Sequence, residues 1–293
     1  MRTYLDCIPC IIRQALCAAR MVSADPAVHE RILREALRWT GEMNMDRPAP
    51  VMVQRIHRLL RKTTGMEDPY RDAKDHQNRT ALALLPELRS KIEAATDPLV
   101  TALRVAVAGN VIDMGANGNV TEFDVHDAVT RALTEPVVGE QDGFRSAVAE
   151  AKRILYVADN AGEIAFDRLL IEQLAPARVT VAVRGKPVIN DATMADARAV
   201  GLHEIVEIVD NGSDAPGTLL DDCSQEFRRR FTEADLILAK GQGNYETLSD
   251  EPHDIFLLFK VKCSVIAAHA GVPIGTHVLA HPNAKITEWG IAS

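Results

Sequence analysis

From residue 143 onward, short apolar runs alternate with stretches that have the apolar periodicity of a helix. Each run has the length of a buried strand. Such alternation is typical of βαβ units, which build a parallel sheet with helices on both faces. The apolar runs are 154–158, 179–183, 205–209, 235–239 and 255–260, and the helical stretches between them lie near 163–175, 192–200 and 221–232. The pattern predicts an α/β fold built on a mostly parallel, Rossmann-like, three-layer α/β/α sheet.

The first hundred residues show only helical periodicity. Asp25 followed by Pro26 has the form of a helix N-cap and first turn, and Asp97-Pro98 repeats this signal at the start of a later helix. No stretch in this half alternates as a strand would. We therefore predict two domains, an all-helical N-terminal domain over 1–100 and an α/β catalytic domain over 101–293.

Composition and charge narrow the class of protein. The 293 residues are 47% hydrophobic and 25% charged, as in ordinary globular proteins, and the formal net charge is -8. This acidic balance argues against a nucleic-acid partner bound through a broad basic surface. No apolar window is long enough to cross a membrane, and the N-terminus lacks the apolar core of a signal peptide. With five cysteines, an odd number, we expect a cytoplasmic protein; the oligomeric state is left open.

Polar clusters follow three of the predicted strands. In an open α/β sheet the carboxyl ends of parallel strands converge on one edge, where ligands bind. We therefore expect the three clusters to form one site. Their sequences are DNAGE at 159–163, RGKPVINDAT at 184–193 and AKGQGNYE at 239–246.

The first cluster has the chemistry of a metal site. Asp159 and Asn160 offer the oxygen ligands that a hard divalent cation prefers. Gly162 permits close backbone approach, and the helix start behind it attracts anions. A metal beside an anion site indicates phosphate chemistry. The alternative interpretation is an Asn/Gly turn in which Asp159 or Asn160 caps the next helix.

Two further motifs lie upstream. Asn110 and Asp113, spaced by three residues, would share one face of a helix and could enter the same cleft; the alternative is a helix C-cap followed by a polar loop. Cys7 and Cys10 form a C-x-x-C without a second pair at zinc-finger spacing. We interpret them as buried structural thiols, with a redox-sensitive or metal-sensitive pair as the alternative.

The motifs DNAGE, GKPVINDAT and KGQGNYE, together with GNVID and the CIPC start, resemble the metal-dependent damage-control phosphatases, long catalogued as domain of unknown function 89. The CIPC start resembles their microbial, CxxC-bearing branch. The resemblance implies a divalent metal ion, either Mn²⁺, Mg²⁺, Ni²⁺ or Co²⁺, held by Asp159, Asn160 and Asp191. It also implies a substrate site, to which we assign Asn110, Asp113, Glu163, Lys240, Gly241 and Asn244.

The expected reaction is hydrolysis of phosphomonoesters of small metabolites, either sugar phosphates or damaged phosphometabolites, by a metal-activated water. Asp159, Asp191 and Lys240 are the predicted catalytic residues, with Lys240 facing the phosphate oxygens. An all-oxygen ligand set favours Mg²⁺ or Mn²⁺ over Zn²⁺. A carboxylate nucleophile that forms an acyl-phosphate is the mechanistic alternative.

Two other functions compete with this one. A carboxyl methyltransferase that uses S-adenosylmethionine would need a Gly-rich turn after the first strand, where this chain has DNAGE. A non-catalytic metabolite-binding module is the other alternative. The chain has neither a G-x-S-x-G elbow nor a P-loop, which argues against an α/β-hydrolase and against ATP use through a P-loop.

Overall fold

The computed structural model describes residues 1–109, 126, 130–131 and 133–282. Asn110 and Asp113, which we assigned to the substrate site, lie outside these residues. Within the described ranges, no helix is long and apolar enough to cross a membrane.

The first part of the chain is helical, as predicted. Asp25 caps the second helix by accepting a hydrogen bond from the Ala27 N–H at 2.9 Å. Asp97 caps the fifth by accepting from the Val100 N–H at 3.2 Å. Both Asp-Pro signals are therefore confirmed as helix starts. The helices are α1 (Cys7–Val22), α2 (Pro26–Glu42), α3 (Pro50–Thr64), α4 (Arg71–Glu93) and α5 (Pro98–Ala108).

A seven-stranded sheet follows, with the order β1-β7-β6-β5-β2-β3-β4. Its strands are β1 (Val137–Gly139), β2 (Ile154–Val157), β3 (Val179–Val183), β4 (Glu207–Asp210), β5 (Leu236–Lys240), β6 (Ile255–Lys260) and β7 (His277–Ala280). The five predicted strands, β2 to β6, are all present and mutually parallel. The sequence patterns missed β1 and β7. These two pair in parallel with each other, while β7 runs antiparallel to β6.

Helices cover both faces of the sheet. They are α6 (Gln141–Glu150), α7 (Glu163–Gln173), α8 (Met194–Ala199), α9 (Gln225–Glu233), α10 (Gln242–Leu248) and α11 (Ser264–Ala270). Alternate residues of β2 enter different cores: Ile154 and Tyr156 pack on the α7 side, and Leu155 and Val157 pack on the α9 side. Burial on both faces explains why the strands are apolar throughout. The three-layer α/β/α prediction is confirmed.

The helical part divides between two cores. Side chains of α1, α2 and α3 form a cluster of their own. Side chains of α4 and α5 instead join the sheet core, where they pack with α7. The predicted boundary after residue 100 falls inside α5 and stays a prediction. The packing indicates that α4 and α5 are built as part of the sheet's outer layer.

Candidate active site

The order of the strands reverses between β2 and β5, which lie side by side although β3 and β4 intervene in the chain. Helix α7 leaves β2 on one face, and α10 leaves β5 on the other. Between two such strands a crevice opens at the carboxyl edge of the sheet. The DNAGE and KGQGNYE clusters begin at this position.

The loops after β2 and β3 are joined by backbone pairing. The Ala192 N–H donates to the Asp159 carbonyl and the Ala161 N–H donates to the Asn190 carbonyl, both at 2.8 Å. Asn160 and Asp191 are thereby paired across an antiparallel bridge. The predicted metal ligands from two separate strands are therefore adjacent and buried.

Gly241, the first residue after β5, completes the crevice. Its φ is +83°, and a Cβ added there would lie 1.9 Å from Oδ2 of Asp159. Any larger residue would collide with this carboxylate. Gly241 is therefore the position that allows the Asp159 carboxylate to lean over β5, and it brings the first and third clusters into contact.

The electrostatics around Asp159 are unfavourable for an ionised carboxylate. Burial, followed by the negative charges of Glu163 and Asp191, raises the pKa of Asp159 well above its usual range. The positive charges of Lys262 and Arg184 act in the opposite direction. The site thus holds more negative charge than its cations neutralise.

Arg184, which follows β3, is a cation in direct contact with one of the predicted ligands. It is fully buried, and its Nε donates to Asp191 Oδ2 at 2.7 Å. Its terminal nitrogens donate to the Thr218 hydroxyl at 3.3 Å and to Asn244 Oδ1 at 3.4 Å, and one lies 4.0 Å from Asp159 Oδ1. The guanidinium therefore fixes the orientation of Asp191. Arg184 lies within the second cluster, but no role was predicted for it. Its position at a strand end beside a carboxylate was the sequence signal for such a role.

Lys240, the last residue of β5, lies beneath the crevice. Its ammonium donates to the Ala106 carbonyl at 2.9 Å, to Glu163 Oε1 at 2.7 Å and to Asp167 Oδ1 at 2.6 Å. An ammonium has three donors, so these acceptors use all of them. Contact between Lys240 and a phosphate stays a prediction; the observed partners are two fully buried carboxylates and the end of α5. Asp167, which lies on α7 one turn beyond Glu163, was not among the predicted site residues.

Glu163 connects this buried ion-pair cluster to the predicted ligands. The amide nitrogen of Asn160 donates to Glu163 Oε2 at 3.1 Å and to Asp159 Oδ2 at 2.8 Å. Both contacts engage the nitrogen, so the amide oxygen is the atom that would serve as a ligand. The residue before α7 is Gly162, and no side chain caps this helix. The alternative in which Asp159 or Asn160 is an N-cap is therefore not observed.

Asn244, assigned to the substrate, is fully buried on α10. Its amide nitrogen donates to the Lys240 carbonyl at 2.6 Å, and its oxygen accepts from the Thr218 hydroxyl at 2.8 Å. These contacts connect the KGQGNYE loop to the Arg184 side of the site. Direct contact of Asn244 with substrate stays a prediction.

The residues present fit a divalent cation. Four buried carboxylates, those of Asp159, Glu163, Asp167 and Asp191, face two buried cations, Arg184 and Lys240. When all four carboxylates are ionised, these buried groups carry two more negative than positive charges, and the predicted ligands are all oxygens, as a hard dication requires. No three His, Cys, Asp or Glu side chains come together as a metal site within the described ranges, so the set depends on the Asn160 amide.

Comparisons with known proteins identify relatives that match nearly the whole chain. A damage-control phosphatase of Archaeoglobus fulgidus is 35% identical over 288 residues, covering 96% of this chain and 98% of its own. The damage-control phosphatase PH1575 of Pyrococcus horikoshii is 30% identical over 284 residues, covering 95% of this chain and 97% of its own. The crystal structure of PH1575, a DUF89 family protein, has a TM-score of 0.87 to this fold at 29% identity, covering 96% of this chain and 99% of that one.

The family comparison covers nearly the whole chain. The model of the damage-control phosphatase ARMT1-like domain matches residues 3–278, which include the helical part and the sheet. Membership carries with it a divalent metal cofactor, without identifying the metal. From the fold, the convergent clusters and these matches together, we conclude that the chain belongs to the damage-control phosphatase ARMT1-like domain family and is a phosphatase.

Proposed function

We propose that this phosphatase hydrolyses phosphomonoesters of small metabolites, either sugar phosphates or damaged phosphometabolites, with a divalent cation held by Asp159, Asn160 and Asp191. The charge imbalance of the buried site carries the proposal. Two uncompensated negative charges in a low-dielectric site are costly unless a cation is bound. A dication would bring the cluster of four carboxylates and two cations to neutrality.

The chain's own residues prepare the site for this ion. Arg184 holds Asp191 through its Nε, and Glu163 holds the amide of Asn160 so that its oxygen can act as a ligand. When bound, the cation would polarise a phosphate oxygen and increase the acidity of a water. Gly241, because it lacks a Cβ, leaves room for the Asp159 carboxylate at the end of β5.

We propose that Lys262 supplies the cation that faces the phosphate. It follows β6, the neighbour of β5 at the same sheet edge, and its side chain is exposed. Its backbone N–H donates to Gln242 Oε1 at 3.0 Å, next to Gly241. Lys240, by contrast, is fully buried in its ion pairs. In this interpretation Lys240 contributes to catalysis by holding Glu163.

The predicted ligands bear on the identity of the metal, and the cysteines bear on the cellular environment. An all-oxygen set supports Mn²⁺ or Mg²⁺, with Ni²⁺ and Co²⁺ as further candidates. All five cysteines are free thiols, which supports a reducing, cytoplasmic environment. The phosphatase names of the relatives do not favour a methyltransferase.

A metal-dependence assay tests the proposal. The purified protein is freed of metal with a chelator, and phosphate release is measured on p-nitrophenyl phosphate and a panel of phosphorylated metabolites with each of the four metals. We expect no release without metal and restored release with at least one of them. Full activity in the chelator-treated protein, or no activity with any metal on any substrate, would overturn the proposal.

A further inference from the structure

A side chain of the N-terminal half joins the two loops of the site. Asn78, buried on α4, accepts a hydrogen bond from the Gly162 N–H at 2.7 Å through Oδ1. Its Nδ2 donates to Asp196 Oδ1 at 3.0 Å. Gly162 ends the turn that follows Asp159 and Asn160, whereas Asp196 lies on α8, just after the second loop. One amide therefore spans both loops.

The contact with Gly162 fixes an unusual turn. Gly162 has a φ of +73°, and its N–H points away from the helix that starts at the next residue. A buried N–H without an acceptor is destabilising, so loss of the Asn78 oxygen would favour a different turn. Any change in this turn moves Asn160 and Glu163, which flank it.

The contact with Asp196 is rigid as well. Asp196 is fully buried and accepts from the Thr193 N–H at 2.9 Å and the Thr193 hydroxyl at 2.7 Å. Lys74, one turn before Asn78 on α4, pairs with Asp196 at 2.9 Å. Thr193 lies two residues after Asp191, so Asn78 acts on the second loop through a short, fully buried chain of contacts.

We propose that Asn78 is a positioning residue of the active site, which sets the spacing between the Asp159–Asn160 loop and the Asp191 loop and thereby sets the affinity for the divalent cation. The proposal rests on the proposed function of these loops. Their ligand ends are already joined by two backbone hydrogen bonds of 2.8 Å, and Asn78 joins the opposite ends. The spacing is then fixed at both ends. Asn78 itself touches neither metal nor substrate.

The test compares Asn78→Ala with Gln77→Met. Gln77 is the neighbouring buried amide on α4, and neither polar atom of its side chain has a hydrogen-bond partner among the described residues. Mn²⁺ affinity is measured by calorimetric titration, amide exchange at Gly162 is measured in the metal-free protein, and stability is measured by urea unfolding. Asn78→Asp is a second variant, which keeps the acceptor for Gly162 and places a carboxylate against Asp196.

We expect Asn78→Ala to weaken Mn²⁺ binding by roughly tenfold to a hundredfold, the scale for residues that orient ligands, and to accelerate exchange at Gly162. Asn78→Asp should weaken Mn²⁺ binding while leaving the exchange at Gly162 slow. Gln77→Met should leave both measurements unchanged. Mn²⁺ affinity within twofold of wild type in a folded Asn78→Ala, or equal losses in Gln77→Met, would overturn the proposal.

Failure of the proposed function gives a different result. Wild-type protein that binds Mn²⁺ without releasing phosphate would refute the phosphatase chemistry, yet the affinity and exchange measurements would still decide the role of Asn78. If Asn78→Ala does not fold, Mn²⁺ affinity in Asn78→Asp decides it, and a wild-type value there would overturn the proposal.

Discussion

The variant Lys240→Met distinguishes two roles for this lysine: contact with the phosphate, as the sequence predicts, and pairing with buried carboxylates, as the structure shows. The side chain is fully buried, and its charge compensates Glu163 and Asp167, which are also fully buried. Methionine fills a similar volume and removes the charge together with the three hydrogen bonds that the ammonium donates. Breaking a buried ion pair by removal of one partner typically costs about 3–5 kcal/mol, and we expect this loss in the free energy of unfolding at pH 8.

The loss should depend on pH. Burial raises the pKa of Asp167 to about 6 even against the opposing effect of Lys240, so removal of the lysine should raise this pKa further. A carboxyl group whose pKa is higher in the folded than in the unfolded state contributes stability at low pH and loses it as pH rises through the folded value. The free energy of unfolding of the variant should therefore be closest to that of wild type near pH 4, and the difference between them should grow as pH increases past 6.

Urea unfolding followed by circular dichroism at pH 5 and pH 8 measures this effect. Lys91→Met is the matched control, because Lys91 pairs with Glu87 on the surface of α4 at 2.6 Å and such pairs contribute about 1 kcal/mol or less. Mn²⁺ titration should show weaker binding in Lys240→Met, since Glu163 orients Asn160. Wild-type stability and Mn²⁺ affinity, together with a hundredfold fall in kcat/KM, would refute this reasoning and assign Lys240 to the phosphate.

Three further predictions follow from other parts of the molecule. Gly241→Ala should abolish Mn²⁺ binding in a calorimetric titration, because the added Cβ would overlap the carboxylate of Asp159, a predicted metal ligand, whereas Gly41→Ala, with open space around it, should bind Mn²⁺ normally. Burial, reinforced by the charge of Arg61, lowers the pKa of His57 to about 4, so His57 should contribute a loss of about 3 kcal/mol in the free energy of unfolding as pH falls from 6.5 to 4, and urea unfolding of His57→Phe should lose about that much less than wild type over this range. The double variant Cys7→Ser with Cys10→Ser should retain wild-type kcat in a phosphate-release assay, because these thiols lie on α1, whose side chains pack with α2 and α3 in a separate cluster.

Local signals were sufficient to predict the central part of the sheet. The five parallel strands are apolar along their whole length because both faces are covered, and this pattern is visible in one dimension. Strand β1 has only three residues, and the four residues of β7 run antiparallel to β6, outside the parallel pattern of the other strands. Their pairing depends on the rest of the sheet, so no local pattern could reveal them.

The candidate site could be predicted only in part. The polar clusters at the strand ends indicated which loops converge, because the carboxyl ends of parallel strands lie at the same edge of the sheet. The direction of a side chain at a strand end is set by packing, and for Lys240 this direction is into the interior. Asn78 lies 84 residues from Gly162 and 118 residues from Asp196, separations over which periodicity carries no information. Its signal was the continuation of the buried stripe of α4 through three polar residues, Lys74, Gln77 and Asn78.

The central claim is that Asp159 binds the divalent cation used in phosphate release. Mn²⁺ titration and phosphate-release kinetics, both measured on Asp159→Asn, test it most directly. Wild type should bind one Mn²⁺ ion per chain, and the variant should lose at least a hundredfold in affinity and a comparable factor in phosphate release, because it lacks a charged ligand. Its metal-free form should be at least as stable as wild type, since Glu163 and Asp191 already oppose ionisation of this carboxyl group. Wild-type Mn²⁺ affinity with full phosphate release in Asp159→Asn would contradict the account.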